Sequence, residues 1–319
     1  MKFKILAALV AAALLLASPG AGLHAKPQDA RDDPLKLSVA YVLLDAQVLS
    51  KKTGLAVQGL SGSDFVLYED GVKQHIEYLS QEKLPLSIVL LLDVSSSIAP
   101  VFGRLQAAAE KALRRLGPAD EVAIMAFGGT ARVVLPFSAD KELAAQSIKE
   151  VNGEGLEQGT DINEGVYRAA LYLKTFVAFP KRRVILAITD DVPSRVITSP
   201  AESRVFRELH ENEITVCGLM FENPQGRLLI RQTPGSVRTY ALETGGSLLS
   251  AEGKKLDANL GELVEHLRTR YSLGYISTNA RKDGKFRKLK LELTPEARQR
   301  TGEARISVRS GYYAKPRGG

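Results

Sequence analysis

The sequence predicts an α/β protein in which a doubly wound sheet is inserted into a small all-β, sandwich-like module. Three observations carry this expectation. From Pro85 to about Arg270, apolar runs of strand length alternate with amphipathic helical stretches, the pattern of a doubly wound sheet. Two of those runs, Ile88–Leu92 and Val184–Thr189, are almost wholly apolar or β-branched, as strands covered on both faces require. The flanking segments, 35–84 and 271–319, read as strands only, and each is too small for a comfortable free-standing domain. Because the ends of a domain commonly lie close together, these two segments can fold as one module around an insertion.

The elements follow in order along the 319-residue chain. Lys2 and Lys4 precede an apolar stretch from Ile5 to Ala17, which Pro19 and Gly20 break. Residues 1–25 are read as a signal peptide for export to the periplasm or the cell exterior, cleaved after Ala25, with an uncleaved membrane anchor as the alternative. Leu23 suits the −3 position of such a site poorly. No cysteine lies nearby to carry a lipid, and no other segment is long and apolar enough to span a bilayer. Residues 26–34, KPQDARDDP, are a polar linker.

From Leu35, LKLSVAYVLLDAQVL reads as strand, KKTG as a turn, and FVLYEDGVKQHIEYL as two strand-like runs around Asp70-Gly71. Asp-Gly between such runs is a strong hairpin signal. The inserted unit, 85–270, opens with strand 87–93 and helix 101–116, which Gly117-Pro118 closes. EVAIMAFGG and ARVVLPFS form a hairpin whose second strand is an edge. Helices 140–151 and 162–178, strand 183–190, helix 200–212, strand 214–221, a short strand near 246–250 and helix 256–270 complete it. After Tyr271, YSLGYIST, FRKLKLELTP and ARISVRSGYYA return to strand alternation, with Asp283-Gly284 as a turn.

Composition narrows the function. Net charge is +7 and falls to +5 when Lys2 and Lys4 leave with the signal, too mild to imply nucleic acid. The basic excess lies in residues 281–319, a solvated face or a contact with an anionic envelope surface. The single Cys217 lies in an apolar strand and excludes an internal disulfide; a buried, inert thiol is expected. Tyr271, Tyr275, Tyr312 and Tyr313 are read as strand aromatics packing across a sandwich, with a ligand-stacking surface as the alternative. His24 leaves with the signal, His75 lies in the β module, and His210 and His266 lie on helices far from the loops described next, so no general base stands out. GxSxG and a phosphate-binding Gly-rich loop are absent.

One constellation carries chemistry. In SIVLLLDVSSS the first apolar strand ends in Asp93, with Ser95 and Ser97 alternately behind it. In GLEQGTDIN, Thr160 sits on a Gly-rich loop opening a helix, and in RRVILAITDD, Asp190 closes another apolar strand. Open α/β sheets bind ligands just beyond the carboxyl ends of their strands. Carboxylates and hydroxyls gathered there are hard oxygen donors suited to Mg²⁺, Mn²⁺ or Ca²⁺. The plainer alternative is that Asp93 or a serine caps the following helix.

Asp-x-Ser-x-Ser, then Thr after Gly, then Asp closing an apolar strand, resembles the metal-ion-dependent adhesion site (MIDAS) of von Willebrand factor type A domains. The resemblance implies a Rossmann-like domain in which Ser95, Ser97 and Thr160 coordinate Mg²⁺ (or Mn²⁺/Ca²⁺), while Asp93 and Asp190 hold it through water. One departure stands out: Asp191 occupies a position where the family usually has glycine, and it either strengthens cation binding or faces solvent. The implied function is non-enzymatic capture of a protein ligand that presents an acidic residue. A metal-dependent hydrolase or phosphotransferase, and a structural component of envelope assembly, are the alternatives. GLSGSDFVLYEDGVKQHIEYL, YSLGYIST and GYYA also resemble secreted bacterial proteins called VWFA-related, many from Acidobacteria, over nearly the whole mature chain.

Overall fold

A computed structural model describes residues 41–152, 154, 156, 158–178, 181–193, 200–221, 235–251 and 256–314. The expected signal peptide, the linker and the start of the first β segment lie outside the described residues. The described chain runs β1 (Tyr41–Ser50), β2 (Phe65–Glu69), β3 (Val72–Gln74), β4 (Ile76–Ser80), β5 (Leu86–Asp93), α1 (Phe102–Leu113), β6 (Glu121–Phe127), β7 (Ala131–Ser138), α2 (Lys141–Glu150), α3 (Ile162–Phe176) and β8 (Arg182–Thr189). It continues with α4 (Glu202–Glu211), β9 (Ile214–Met220), α5 (Val237–Thr244), β10 (Leu248–Ser250), α6 (Leu256–Arg268), β11 (Tyr271–Ile276), β12 (Phe286–Leu293), α7 (Pro295–Thr301), β13 (Ala304–Val308) and β14 (Gly311–Tyr313).

The central sheet has the order β10-β9-β8-β5-β6-β7, all parallel except the edge strand β7. Every residue of β5 and β8 is buried, which explains why both read as unbroken apolar runs. Their side chains divide by parity. Ile88, Leu90 and Leu92 pack with α1, α2 and α6, whereas Val89 and Leu91 pack with α3, α4 and α5. The sheet is therefore doubly wound, as expected. Pro136 sits in β7, where an edge strand tolerates a missing N–H. Cys217 is buried in β9, and burial raises its thiol pKa.

The flanking segments join in two antiparallel four-stranded sheets, β13-β1-β11-β4 and β14-β12-β2-β3. Alternate residues from both sheets, among them Val42, Leu44, Leu67, Leu273, Leu289 and Leu291, share one core. The Asp70-Gly71 hairpin joins β2 to β3 with both turn residues left-handed (φ 48° and 84°), the conformation that matches strand twist. Two expected strands are divided. The run after Gly71 changes sheet at His75, where β3 ends and β4 begins, and ARISVRSGYYA changes sheet at Arg309-Ser310 between β13 and β14. Two short helices, α5 and α7, were not among the expected elements. Both carry local signals: Ser236 and Thr294 cap their first turns, and Pro295 occupies the first turn of α7.

Tyr271 and Tyr275 are buried in the sandwich core and Tyr312 packs against it, whereas Tyr313 is partly exposed and packs on Phe286 and under Arg207. Tyr275 Oη (2.6 Å) and Tyr312 Oη (3.0 Å) donate to one oxygen of the Glu69 carboxylate, and Ser277 Oγ (2.7 Å) donates to the other. Glu69 is only 2% exposed. Glu69→Ala removes the acceptor of two buried hydroxyls and one half-buried one and is expected to cost about 3 kcal/mol, at roughly 1–3 per lost partner. Glu69→Gln, which keeps one acceptor oxygen, costs less. Urea denaturation of both variants measures the difference.

Four buried arginines, Arg182, Arg183, Arg270 and Arg309, lie where the helices of the doubly wound unit end. Arg182 donates to Leu267 O (2.8 Å) and Arg268 O (3.1 Å) at the end of α6. Arg183 donates to Val177 O and Asn212 O, after α3 and α4. Arg270 donates to Gly245 O after α5, and Arg309 to His210 O (3.5 Å) in the last turn of α4 and to Leu43 O of β1. Guanidinium donors at these ends satisfy orphan carbonyls and oppose the negative end of each helix dipole. Arg182 also pairs with Asp45 of β1 at 3.1 Å, so the same contacts fasten the sandwich to the α/β unit.

His210 lies in this junction, its ring 5.1 Å from that of Phe286. Burial, with Arg309 adding to it, lowers its pKa from 6.5 to about 4. The unfolded chain takes up a proton near pH 6.5 and the folded chain only near 4. Stability is thus full above pH 6.5 and lost as pH falls toward 4, by on the order of 3 kcal/mol. Urea midpoints at pH 7 and 4.5 should show this loss, and His210→Phe should remove this group's share of it.

Candidate cation site at the carboxyl edge of the sheet

In the strand order, β5 lies between β8, whose neighbours follow one direction, and β6, whose neighbours follow the other. Such a switch point opens a crevice outside the carboxyl ends of the strands. Asp93 is the last residue of β5 and is 0% exposed. Its Oδ2 accepts a hydrogen bond from Thr189 Oγ1 at 2.6 Å, and its Oδ1 accepts from Ser95 N at 2.9 Å. The second bond folds the chain so that Ser95 Oγ and Ser97 Oγ lie 2.9 Å apart. Among the described residues no lysine, arginine or histidine is ion-paired with Asp93. Burial above all, with a smaller contribution from the negative charge of Asp190, raises its pKa to about 6 against the lowering effect of these hydrogen bonds.

Asp190 is buried and follows β8 directly, its Oδ1 accepting from Val192 N at 3.2 Å. Thr160 is buried in the loop before α3. That loop is tied to the same edge: Asp161 N donates to Gly128 O (2.8 Å), just past β6, and Val94 N donates to Phe127 O (3.0 Å), opposite Asp93. Asp161 also caps α3 through Glu164 N. The five sequence-derived residues, Asp93, Ser95, Ser97, Thr160 and Asp190, thus sit on loops at one edge of the sheet.

Thr189 is the residue at this edge that the sequence did not single out. In sequence it is one β-branched strand residue among many, and only the β5–β8 pairing aims its hydroxyl at Asp93. Asp191 corrects an expectation. It is neither solvated nor aimed at the candidate ligands. It is buried, left-handed (φ 56°), and accepts from Val237 N at 2.7 Å and Arg238 N at 3.4 Å, holding the first turn of α5.

The residues suit a divalent cation. The donors are all oxygens, two of the side chains are carboxylates, and a fully buried carboxylate sits without a cationic partner beside a second one. A hard cation relieves that arrangement, whereas a soft one prefers sulfur or imidazole.

Residues 88–192, the span from β5 through Asp190, match the sequence model of the von Willebrand factor type A domain. That span, and not the chain as a whole, matches the family of von Willebrand factor type A domains. Type A domains are commonly metal-dependent protein-interaction modules and are generally non-catalytic. No curated protein matches the chain. Among solved structures, the chain is similar to the conserved hypothetical protein BatB from Bacteroides thetaiotaomicron, with 17% identity, TM-score 0.46, and 57% of this chain covering 98% of that one. It is similar to a von Willebrand factor type A protein from Catenulispora acidiphila, with 12% identity and TM-score 0.46, over 88% of this chain and 75% of that one. A third, the mussel byssus proximal thread matrix protein 1 with a zinc-occupied MIDAS motif, is 15% identical at TM-score 0.46, over 63% of this chain and 50% of that one. Among the described residues, no helix is long and apolar enough to cross a membrane.

Proposed function

We propose that this is an exported, non-enzymatic binding protein whose type A domain, residues 85–270, captures an acidic side chain of a partner protein through a divalent cation. Segments 35–84 and 271–319 form the module that carries it. The observation that bears the most weight is Asp93: a carboxylate with no exposure, oriented by Thr189 and Ser95, at the head of a hydroxyl pair at the switch point. Ser95, Ser97 and Thr160 supply neutral oxygens, and Asp93 and Asp190 supply the charge. Mg²⁺ is the favoured occupant, with Mn²⁺ and Ca²⁺ sharing the same donor preference. A cation held mainly by neutral ligands keeps much of its charge, so it exchanges a water for a partner's carboxylate oxygen.

The orientation of Asp93 also supports a preference for a carboxylate. Thr189 and the Ser95 amide occupy the two Asp93 oxygens, so Asp93 is oriented rather than free to swing outward toward a basic partner. An envelope pull-down with and without chelator tests the proposal. Capture that requires Mg²⁺ and is lost in Ser97→Ala supports it. Capture unchanged by chelator, with a rise only in melting temperature on adding metal, favours a structural role for the cation instead.

A further inference from the structure

We propose that a buried hydrogen-bond chain, Asp93–Thr189–Asp191–α5, couples the candidate cation site to the β-sandwich, so that cation binding is felt at Ser310. The proposal rests on the cation reading of the site given above. Its links are continuous. Asp191 N donates to Thr189 Oγ1 (3.0 Å), and Thr189 Oγ1 donates to Asp93 Oδ2 (2.6 Å). The Asp191 carboxylate in turn accepts from Val237 N (2.7 Å), the first residue of α5. Asp93, Thr189, Asp191 and Val237 are all buried, so water does not readily replace any link. Hydrogen bonds in such a series polarise one another. Asp93 attracts the Thr189 proton, which makes Thr189 oxygen a better acceptor for the Asp191 amide.

The far end of α5 is held as firmly. Ser310 N donates to Glu243 O (2.8 Å), and Ser310 Oγ donates to the Glu243 carboxylate. Arg270 holds Gly245 O. Gly245 is left-handed (φ 70°), and a Cβ there would lie 2.5 Å from the Val308 carbonyl carbon, so the helix end abuts the sandwich backbone. An eight-residue helix spans about 12 Å. It joins the loop beside Asp190 to the segment where the chain passes from β13 to β14.

Asp191 is the necessary link and an unusual residue for its backbone. Left-handed backbone favours glycine, though aspartate is among the side chains that tolerate it. Here the carboxylate that caps α5 offsets that strain. Opening the first turn of α5 requires Asp191 to release Val237. Fixing Asp190 through a bound cation makes that release rarer.

Hydrogen–deuterium exchange of the whole protein, with and without Mg²⁺, tests this. In wild type, Mg²⁺ should slow exchange in the Asp93–Ser97 and Thr189–Val192 loops. It should also slow the Val237, Arg238 and Ser310 amides about fivefold or more, the usual scale of coupling between sites. Asp191→Gly accepts the backbone conformation but removes the cap, so the loops should still respond while Val237 and Ser310 no longer do. Asp191→Asn, which keeps one acceptor, should retain the response. Loops that respond to Mg²⁺ in wild type without any change at Val237 or Ser310 would overturn the coupling and leave the cation reading standing. No response anywhere to Mg²⁺, Mn²⁺ or Ca²⁺ would overturn both.

Discussion

Asp93→Ala is expected to abolish divalent-cation binding and every cation-dependent interaction, while the protein remains folded. The side chain lies at the carboxyl end of β5, outside the apolar contacts that hold the sheet, so its removal leaves the strand pairing of Leu86 to Leu92 intact. It removes one of two carboxylates, leaving Asp190 as the only charge beside the uncharged Ser95, Ser97 and Thr160. It also frees the Thr189 hydroxyl, so the geometry of the Asp190 loop loses its anchor. A cation at a hundred times its dissociation constant stabilises a protein by about 2.7 kcal/mol. Wild type should therefore show a chelator-reversible rise in melting temperature with Mg²⁺, and Asp93→Ala should show none. The buried carboxylate is costly without a cation, so the variant should be no less stable than chelated wild type by more than its lost hydrogen bonds. A variant that binds Mg²⁺ as wild type does would refute the site.

Arg182→Ala is expected to be the most destabilising change at the junction between the two parts of the chain, by about 1–3 kcal/mol, chiefly from buried carbonyls left without a donor. Arg182 joins four segments. Its Nε pairs with Asp45 of β1, and its terminal nitrogens donate to Leu267, Arg268 and Arg270 carbonyls and approach Ser272 Oγ. Among the described residues, truncation leaves Asp45 with Ser272 as its remaining side-chain hydrogen-bond partner and strands carbonyls at the end of α6. Lysine should recover little, because a single ammonium cannot reach donors set out along a planar fork. Equilibrium urea denaturation of Arg182→Ala and Arg182→Lys measures both costs. A loss below about 1 kcal/mol in the alanine variant would place it among ordinary surface changes and show that the junction does not depend on this arginine.

The doubly wound sheet was legible in the sequence because β5 and β8 are buried on both faces, which leaves unbroken apolar runs. The Asp70-Gly71 hairpin was legible because both its turn residues need left-handed backbone. The elements missed were those whose signals are short. Helices α5 and α7 have eight and seven residues, too few for a helical period to stand out from the surrounding polar sequence. The sheet changes at His75 and at Arg309-Ser310 were hidden because a strand keeps its alternation whichever sheet it pairs with.

By itself, the sequence determined the fold class, and it nominated the five oxygen-bearing residues of the candidate site. These properties are local: apolar period, turn chemistry and residue type at the end of a strand are written in consecutive positions. Tertiary structure alone decided that Thr189 orients Asp93, that Asp191 turns inward to cap α5, and that buried arginines close the ends of the helices. Each of those depends on a partner distant in the chain, and which partner a donor meets is fixed only when packing has closed the space between them.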